Sequence, residues 1–175
     1  MNNIYFVSDN NGIENAIMDY NNKQYRVRSE VLILDNRNKV YIVNTNKLNQ
    51  YNRMYKIPGG SLSSNKGIID TAITEAKEEC RFNITNVKYS NYKVISNYKF
   101  IPEWHKRILW PLGVKYYGVI TFICVGIFKD YYNGFIKEQD MELEMLNGRF
   151  EDIDKLDKIH KLAVENYIST AIKRY

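Results

Sequence analysis

Three glutamates at helical spacing are the residues of this sequence whose types and positions best suit chemistry. Glu75, Glu78 and Glu79 stand at i, i+3 and i+4, so a helix would project all three from one side. Like charges at this spacing repel one another, and a divalent cation would relieve the repulsion. Mg²⁺ and Mn²⁺ prefer such hard oxygen ligands. Glutamates also crowd exposed helices, however, and the spacing alone favours a solvated helix face.

A glycine turn precedes these glutamates. Pro58 ends a short strand predicted over residues 54–57, and Gly59 and Gly60 follow it. Because glycine lets the backbone approach closely, a glycine carbonyl could add a metal ligand. A loop rich in Ser and Asn then leads into the helix, which gives the order strand, glycine loop, helix.

The helix that carries the glutamates also has a predicted buried face. Its apolar residues recur at helical spacing, namely Ile69, Ala72, Ile73, Ala76 and Cys80. At about 100° per residue they form one stripe. The three glutamates are predicted to face away from that stripe.

Alternation, β-branched content and helical periodicity predict the rest of the fold. Residues 25–34 and 39–43 are expected to form a hairpin around a turn at 35–38. Residues 116–128 are apolar enough for a central strand that is buried on both faces. The other predicted elements are a strand over 87–100, an acidic loop over 130–145, a short strand over 149–153 and a helix over 155–173. The last helix is expected to pack back on the sheet.

The spacing from Gly60 to Phe82 resembles the Nudix box. That box is a Gly, five residues, a Glu, seven residues, Arg-Glu, an aliphatic residue, any residue, Glu-Glu, any residue, Gly and an aliphatic residue. The matching positions are Gly60, Glu75, Ala76, Glu78, Glu79 and Phe82. At residue frequencies of about 6–7%, a glycine pair with three glutamates at fixed offsets arises by chance in roughly one of several thousand chains. The match is therefore specific.

Three positions depart from the box. Lys66 replaces the first Glu, Thr74 the Arg, and Arg81 the closing Gly. In the family the Arg helps to orient the glutamates, so its loss lowers the activity or requires another cation, for which Arg81 and Lys56 are the candidates. The box covers only residues 59–82, but the other elements also resemble the family's α/β/α sandwich, with a mixed sheet and helices on both faces.

The resemblance implies a role for each matched glutamate. Glu75 and Glu79 would be direct metal ligands, Glu78 a ligand or the base that orients water, and the Gly59 carbonyl a further ligand. The metal would be Mg²⁺ or Mn²⁺. Water would attack phosphorus and cleave a pyrophosphate linkage, which gives two phosphorylated fragments.

The family often takes a further carboxylate, commonly the general base, from a loop before a late strand. The acidic stretch before residue 149 occupies that place in this chain. Counting back favours Glu144, with Glu142 next. Each has a plain surface acid as its alternative, because acidic loops are common.

Four residues are candidates for substrate binding, namely Arg53, Lys56, Tyr98 and Trp104. Tyr98 lies sixteen positions after Phe82, where one dinucleoside-polyphosphate subgroup of the family tends to place a tyrosine. Coincidence is the alternative, because the chain has 15 tyrosines. Trp104 and Trp110 bracket His105-Lys106-Arg107, which suits base stacking and phosphate binding, or a loop that covers the core edge.

Length and composition limit the classes of protein to which this sequence can belong. The 175 residues, 45% apolar and 26% charged, are expected to form one globular domain over 1–175. The sequence has no apolar run of membrane length and no recognisable signal sequence, so a cytoplasmic location is expected. The two cysteines and two histidines lie apart, which argues against a zinc cluster or a disulfide framework. Cys80 is expected in the core and His160 at the surface.

Two functions are compatible with these features. The first is a metal-dependent pyrophosphohydrolase acting on a small nucleotide-type molecule, such as a nucleotide sugar, ADP-ribose, a dinucleoside polyphosphate or a nucleoside triphosphate. The alternative is a catalytically silent Nudix-like module that binds a nucleotide or a protein, motivated by the departures from the box. The net charge of +5 is scattered, so nucleic acid is a partner that is not favoured. A homodimer is expected only by analogy with the family.

Overall fold

The computed structural model describes residues 3–49, 51–138 and 142–173. Its strands are β1 (Ile4–Ser8), β2 (Glu14–Tyr20), β3 (Lys23–Leu34), β4 (Val40–Asn44), β5 (Tyr55–Lys56), β6 (Gly59–Ser61), β7 (Phe82–Asn97), β8 (Tyr116–Tyr131) and β9 (Arg149–Glu151). Its α-helices are α1 (Ile68–Cys80) and α2 (Lys158–Ile172). None of the described helices is long and apolar enough to cross a membrane.

β3 is the strand around which the sheet is organised. One of its edges pairs in parallel with β8 from Gln24 to Leu34, and β7 pairs antiparallel with the other edge of β8. The opposite edge of β3 is shared in succession by β2, β6 and β4, all antiparallel. The sheet is therefore mixed, and β3 lies in its interior.

The hydrophobic core lies on both faces of this sheet. On one face, β3 and β8 pack against α1 in a cluster that includes Val31, Ile33, Ala72, Ala76, Cys80 and Cys124. On the other face they pack against α2 in a cluster that includes Leu32, Leu34, Ile123, Val125, Ala163 and Val164. Successive strand residues point to opposite layers. The predicted central strand and the α/β/α sandwich with helices on both faces are confirmed.

The predicted hairpin, long strands and helices are present, with shifted ends. In the turn between β3 and β4, the Asp35 carboxylate accepts the N–H groups of Arg37 and Lys39, each at 2.9 Å. Asn38 takes a left-handed φ of 58° there, as turn chemistry favours. β7 begins at Phe82, directly after α1, instead of at residue 87.

The sequence pattern gives no prediction of β1 and β2. β2 buries three consecutive residues, Ala16, Ile17 and Met18. The alternation that marks a half-buried strand is therefore absent. Together the two strands extend the sheet at the edge beside β3.

The packing of α1 corrects two expectations about the helix that carries the glutamates. Ala72, Ala76 and Cys80 are buried as predicted, but Ile69 is 40% exposed and does not belong to the buried stripe. Glu79 is only 7% exposed, so it does not face away from the core. Because the buried residues of α1 are small, the helix lies close to the sheet and brings Glu79 against it.

Candidate active site

A cavity of about 340 Å³ lies where β3, β5, β6 and α1 meet. Charged side chains from distant parts of the sequence line it, namely Arg28, Glu30, Arg53, Lys56, Glu79 and Glu142. The folded sheet thus brings one glutamate of the box together with cations that lie far from it in sequence. Of the predicted site residues, this cavity is lined by Arg53, Lys56, Gly59, Glu79 and Glu142.

Glu75 and Glu79 meet the backbone of the glycine pair. The Gly59 N–H donates to Glu79 Oε2 at 3.1 Å, and the Glu75 carboxylate occupies the space in which a side chain at Gly60 would lie. A Cβ at Gly59 would fall 2.7 Å from the Ser29 carbonyl oxygen. Both glycines are therefore needed for the close approach of β6 to its neighbours, which holds the two carboxylates beside the turn.

Burial and mutual repulsion make both carboxyl groups weak acids. Burial, followed by the charge of Glu75, raises the pKa of Glu79 to about 8. Burial, followed by the charge of Glu78, raises the pKa of Glu75 to about 7. The positive charge of Arg28 opposes both shifts without offsetting them. Two buried carboxylates that lack sufficient positive charge form a donor set that fits a divalent cation.

Glu78 acts electrostatically on this pair, since its charge raises the pKa of Glu75. It lines a second cavity, together with Lys66 and Lys77, farther around α1. Within the part of the chain that the structure describes, no three His, Cys, Asp or Glu side chains are arranged to hold one metal ion. Glu75 and Glu79 thus lie at the glycine pair, and Glu78, one helical turn from Glu75, lines the second cavity.

Arg28 extends from β3 toward the same turn. Its Nη2 donates to the Gly59 carbonyl at 2.8 Å, and its Nη1 donates to the Tyr51 hydroxyl. Its positive charge acts on both Glu75 and Glu79. Arg28 therefore stands where a cation can compensate for the arginine that the box lacks. It also engages the carbonyl that the resemblance assigns to the metal.

Arg81 occupies a backbone position that explains the closing glycine of the box. It caps α1 with φ 60° and ψ 34°, in the left-handed region, and its N–H is bonded to the carbonyls of Ala76 and Lys77. A residue with a side chain is strained there by roughly 1–2 kcal/mol. Its guanidinium donates to the Gly134 carbonyl at 3.2 Å. This bond ties Arg81 to the loop after β8 and gives no support to its expected role as a substitute for the box arginine.

The two acids predicted as general bases differ in position. Glu142 lines the cavity and lies within range of the Glu79 charge. Glu144, the preferred prediction, has a side chain that is 53% exposed and lies 2.7 Å from Lys56 Nζ. Lys56 thus links the rim of the cavity to the acidic loop. Residues 139–141 of that loop lie outside the described residues.

Glu30 forms a buried ionic network at the base of the cavity. Arg53 Nη2 lies 2.9 Å from Glu30 Oε1, and His160 Nε2 lies 3.1 Å from Glu30 Oε2. Burial alone would raise the pKa of Glu30, but the hydrogen bond from His160 and the charge of Arg53 lower it well below its usual range. His160 Nδ1 lies 2.6 Å from Asp157 Oδ1, the N-cap of α2. The network therefore ties α2 to β3.

This network changes two expectations. His160, expected at the surface, is fully buried, because Asp157 and Glu30 supply partners for both ring nitrogens. Burial would lower its pKa, but these two acids raise it. Arg53, a candidate for substrate binding, lines the cavity but is only 5% exposed and is held by Glu30. It forms a fixed positive wall of the cavity.

Tyr98 and Trp104 do not line this cavity. Both contact the ring of His105, at centroid distances of 5.3 and 3.9 Å. Trp104 instead lines a third cavity, beside Arg26. His105 is fully buried and begins a π-helical turn, His105–Leu109, in a segment expected as a loop. The predicted substrate-binding residues are thus divided between two regions of the molecule.

Arg28, Glu30 and Tyr51 are cavity residues that the sequence analysis missed. Arg28 and Glu30 lie two positions apart on β3, so they project from the same side of the strand. The apolar run at residues 31–34 marks that strand as buried, and buried charges need partners. Two charged residues directly before a buried apolar run could therefore have identified Arg28 and Glu30 as paired charges. Nothing in the sequence distinguishes Tyr51 from the other tyrosines.

The fold of this chain is similar to that of several solved structures. It matches the E. coli dihydroneopterin triphosphate pyrophosphohydrolase with a TM-score of 0.52 and 14% identity, over 82% of this chain and 95% of that one. It also matches a NUDIX hydrolase from Nitrosomonas europaea, with a TM-score of 0.49 and 13% identity, over 83% and 90% of the two chains. A MutT protein from Methanosarcina mazei Go1 gives 0.46 and 14%, over 85% and 96%. No family model and no curated protein matches the sequence. The likeness to the E. coli enzyme shows that the two chains share a fold.

Proposed function

We propose that this chain, whose fold is that of the Nudix hydrolases, is a metal-dependent pyrophosphohydrolase acting on a small nucleotide-type substrate. The observation that carries the proposal is the pairing of Glu75 and Glu79 at the Gly59-Gly60 turn. The resemblance assigns the metal to these residues, and Glu79 lines a charged cavity of about 340 Å³. The substrate would be a nucleoside diphosphate linked to another group.

Glu75, Glu79 and the Gly59 carbonyl are the groups that would hold Mg²⁺ or Mn²⁺. Hard oxygen donors suit either ion, and burial has raised the pKa of both carboxyl groups, which a nearby cation would reverse. A divalent cation bound here supplies positive charge to phosphate oxygens and makes water more acidic. The Gly59 N–H orients the Glu79 carboxylate for this task.

The cations of the cavity would bind the phosphates of the substrate. Arg28 is fixed by two hydrogen bonds, and Arg53 is fixed by Glu30. Guanidinium groups held in this way match phosphate oxygens and lose little freedom on binding. Lys56 at the rim adds a more exposed positive charge. Together these side chains would orient the linkage that is cleaved.

Glu142 is the better placed of the two candidate general bases. It lines the cavity, whereas Glu144 is paired with Lys56 at the rim. A base beside the attacking water holds the proton that the water loses. Glu144 would take this role only after its ion pair with Lys56 opened.

A silent binding module is the second candidate, and Arg28 is the observation that favours it. Its guanidinium donates to the Gly59 carbonyl that the resemblance assigns to the metal. Glu78, the third glutamate of the box, lines a different cavity. In this alternative the guanidinium serves as the resident cation, and the cavity binds a nucleotide without turnover.

Product analysis with a panel of nucleoside diphosphate derivatives, in Mg²⁺ and in Mn²⁺, tests the proposal. We expect turnover of at least one compound, loss of that turnover in Glu79→Gln, and retention in Asp70→Asn. Asp70 is the matched control because it is an exposed acid on the same helix. Turnover that survives chelation of the metal, or that survives Glu79→Gln, would contradict the proposal. Nucleotide binding without turnover would favour the silent module.

A further inference from the structure

A second cavity, of about 520 Å³, lies farther around the helix that carries the box glutamates. Thr74, Lys77 and Glu78 line it from α1, and Lys66 lines it from the preceding loop. The segment after β8 contributes Tyr132, Phe135, Ile136 and Lys137. Its charged lining consists of three lysines and one glutamate, a formal charge of +2. The cavity is therefore suited to an anion.

The second cavity begins where the carboxylate face of α1 ends. At 100° per residue, the residues that follow one another around the helix are Glu79, Glu75, Glu78, Thr74 and Lys77. The first of them lines the first cavity, and the last three line the second. A linear substrate with its cleaved linkage at the Glu75–Glu79 pair would extend around the helix from one cavity to the other.

Lys66 changes the chemistry on this side of the helix. It stands at the box position that the resemblance gives to a glutamate. Its positive charge opposes the rise in the pKa of Glu75 that burial causes. Its N–H donates to the Ser63 carbonyl at 3.1 Å, which fixes its backbone before the helix. A lysine at this point suits a phosphate oxygen, where a carboxylate would suit a cation.

Aromatic side chains flank the lysines. The Tyr132 ring lies 5.6 Å from Lys77 Nζ, and Phe135 is 86% exposed. The segment that carries both rings is anchored to the end of α1, because the Tyr132 N–H donates to the Arg81 carbonyl at 2.7 Å and the Arg81 guanidinium donates to Gly134. An exposed ring on an anchored segment suits stacking with a nucleobase.

We propose that Lys66, Lys77, Lys137 and Phe135 form a second phosphate and base subsite, which binds the departing half of a two-ended substrate of the dinucleoside polyphosphate type. This assignment rests on the proposed function, which puts the cleaved linkage at the Glu75–Glu79 pair between the two cavities. A nucleoside diphosphate with a single base would contact the first cavity alone. The chain is therefore expected to prefer substrates that carry a base and phosphate at both ends.

Calorimetric binding to Glu79→Gln tests the subsite, since turnover does not enter the measurement. The two ligands are a dinucleoside tetraphosphate and ADP, each with Mg²⁺. The double change Lys66→Met and Lys77→Met should weaken tetraphosphate binding about tenfold and ADP binding less than about twofold. The reason is that only the tetraphosphate would make charge-assisted phosphate contacts with these lysines. Phe135→Ser should weaken tetraphosphate binding by roughly fivefold, and Phe135→Leu by less.

The matched control is Lys99→Met, which removes an exposed lysine outside both cavities. It should leave both affinities unchanged. Equal weakening of the two ligands by the double change, or no weakening, would overturn the subsite. Tighter binding of a single-stranded RNA than of the tetraphosphate would overturn the assignment to a small two-ended ligand.

The outcome for the subsite is separable from the outcome for the proposed function. Lysine-dependent binding of the tetraphosphate, with no turnover in the unmodified chain, would support the subsite and contradict the hydrolase. Turnover of the panel, with tetraphosphate binding that does not depend on the lysines, would support the hydrolase and overturn the subsite.

Discussion

Glu30 and Glu79 are buried glutamates of one cavity, yet their surroundings have opposite effects on them. Glu30 is 2% exposed and Glu79 is 7% exposed. Burial would raise the pKa of Glu30, but His160 and Arg53 lower it. Burial and the neighbouring Glu75 carboxylate raise the pKa of Glu79 to about 8, and the Gly59 N–H and the charge of Arg28 oppose this rise only in part.

The difference shows that burial alone does not separate a structural acid from a functional one. Glu30 receives its positive charge from within the protein, so its ionised form stabilises the fold. Glu79 lacks sufficient positive charge around it, so a bound cation would stabilise its ionised form. This is the property expected of a metal ligand. The surroundings of a buried acid, more than its accessibility, therefore indicate its use.

The largest effect expected from this comparison is on stability. Glu30→Ala leaves Arg53 buried without its partner and should lower the free energy of unfolding by about 3–5 kcal/mol. Chemical denaturation measures the change, and Glu165→Ala, which removes an exposed acid from α2, is the control. If the alanine variant does not fold, Glu30→Gln retains the volume and should show a smaller loss. A loss below about 1 kcal/mol would mean that this network does not hold α2 on β3.

Acid should weaken the same network over a defined range of pH. Because the folded protein lowers the pKa of Glu30 from 4.5 to about 2, its contribution is fully present above pH 4.5 and is lost as the pH falls toward 2. The stability difference between the unmodified chain and Glu30→Gln should therefore shrink in acid, by up to about 3 kcal/mol. A difference that stays constant from about pH 7 to about pH 3 would contradict the assignment.

Glu79→Gln, unlike Glu30→Ala, should not lower stability, but it should strongly lower activity. We expect turnover to fall by about 100-fold or more, since changes even beyond the direct ligands of a metal cost 10- to 100-fold. Removing the charge relieves its repulsion with Glu75, so stability in the presence of a chelator should be unchanged or higher. Urea denaturation and initial rates measure the two quantities. A loss of stability above about 1 kcal/mol would make Glu79 a structural acid like Glu30.

Arg28→Lys probes the cation whose charge acts on both Glu75 and Glu79. Lysine keeps the charge but cannot bond the Gly59 carbonyl and the Tyr51 hydroxyl together, so kcat/KM should fall by roughly tenfold. Stability should fall by roughly 1–3 kcal/mol, because hydrogen bonds of a charged group are lost. Arg37→Lys, in the exposed turn after β3, is the control. Faster turnover or tighter metal binding would instead show that Arg28 competes with the metal for the carbonyl.

Local spacing explains which parts of the site were predictable. Glu75, Glu79 and the glycine pair lie within about one strand, one loop and one helix, where periodicity fixes relative positions. The same arithmetic also limits the prediction, because Glu78 and Glu79 are 100° apart around the helix. That angle is enough for the two side chains to line different cavities.

Long-range pairing explains which residues could not be predicted. Glu30 and His160 are 130 positions apart, and only the docking of α2 on β3 brings them together. The periodicity of α2 predicts its helical form, but the burial of His160 depends on an acid supplied by another element. β1 and β2 were missed for a different reason, since three consecutive buried residues in β2 hide its alternation.

The position of β3 in the sheet affects the order in which parts of the molecule fold. Glu30 lies opposite Ile123 of β8 in the sheet, and its histidine partner follows still later in the chain. Pairings between such distant segments are slow, because the entropy of closing long loops must be overcome first. While α2 is still inside the ribosome during synthesis, Glu30 on β3 lacks its partner His160. The Glu30 network at the base of the candidate active site is thus expected to form only after α2 has docked on β3.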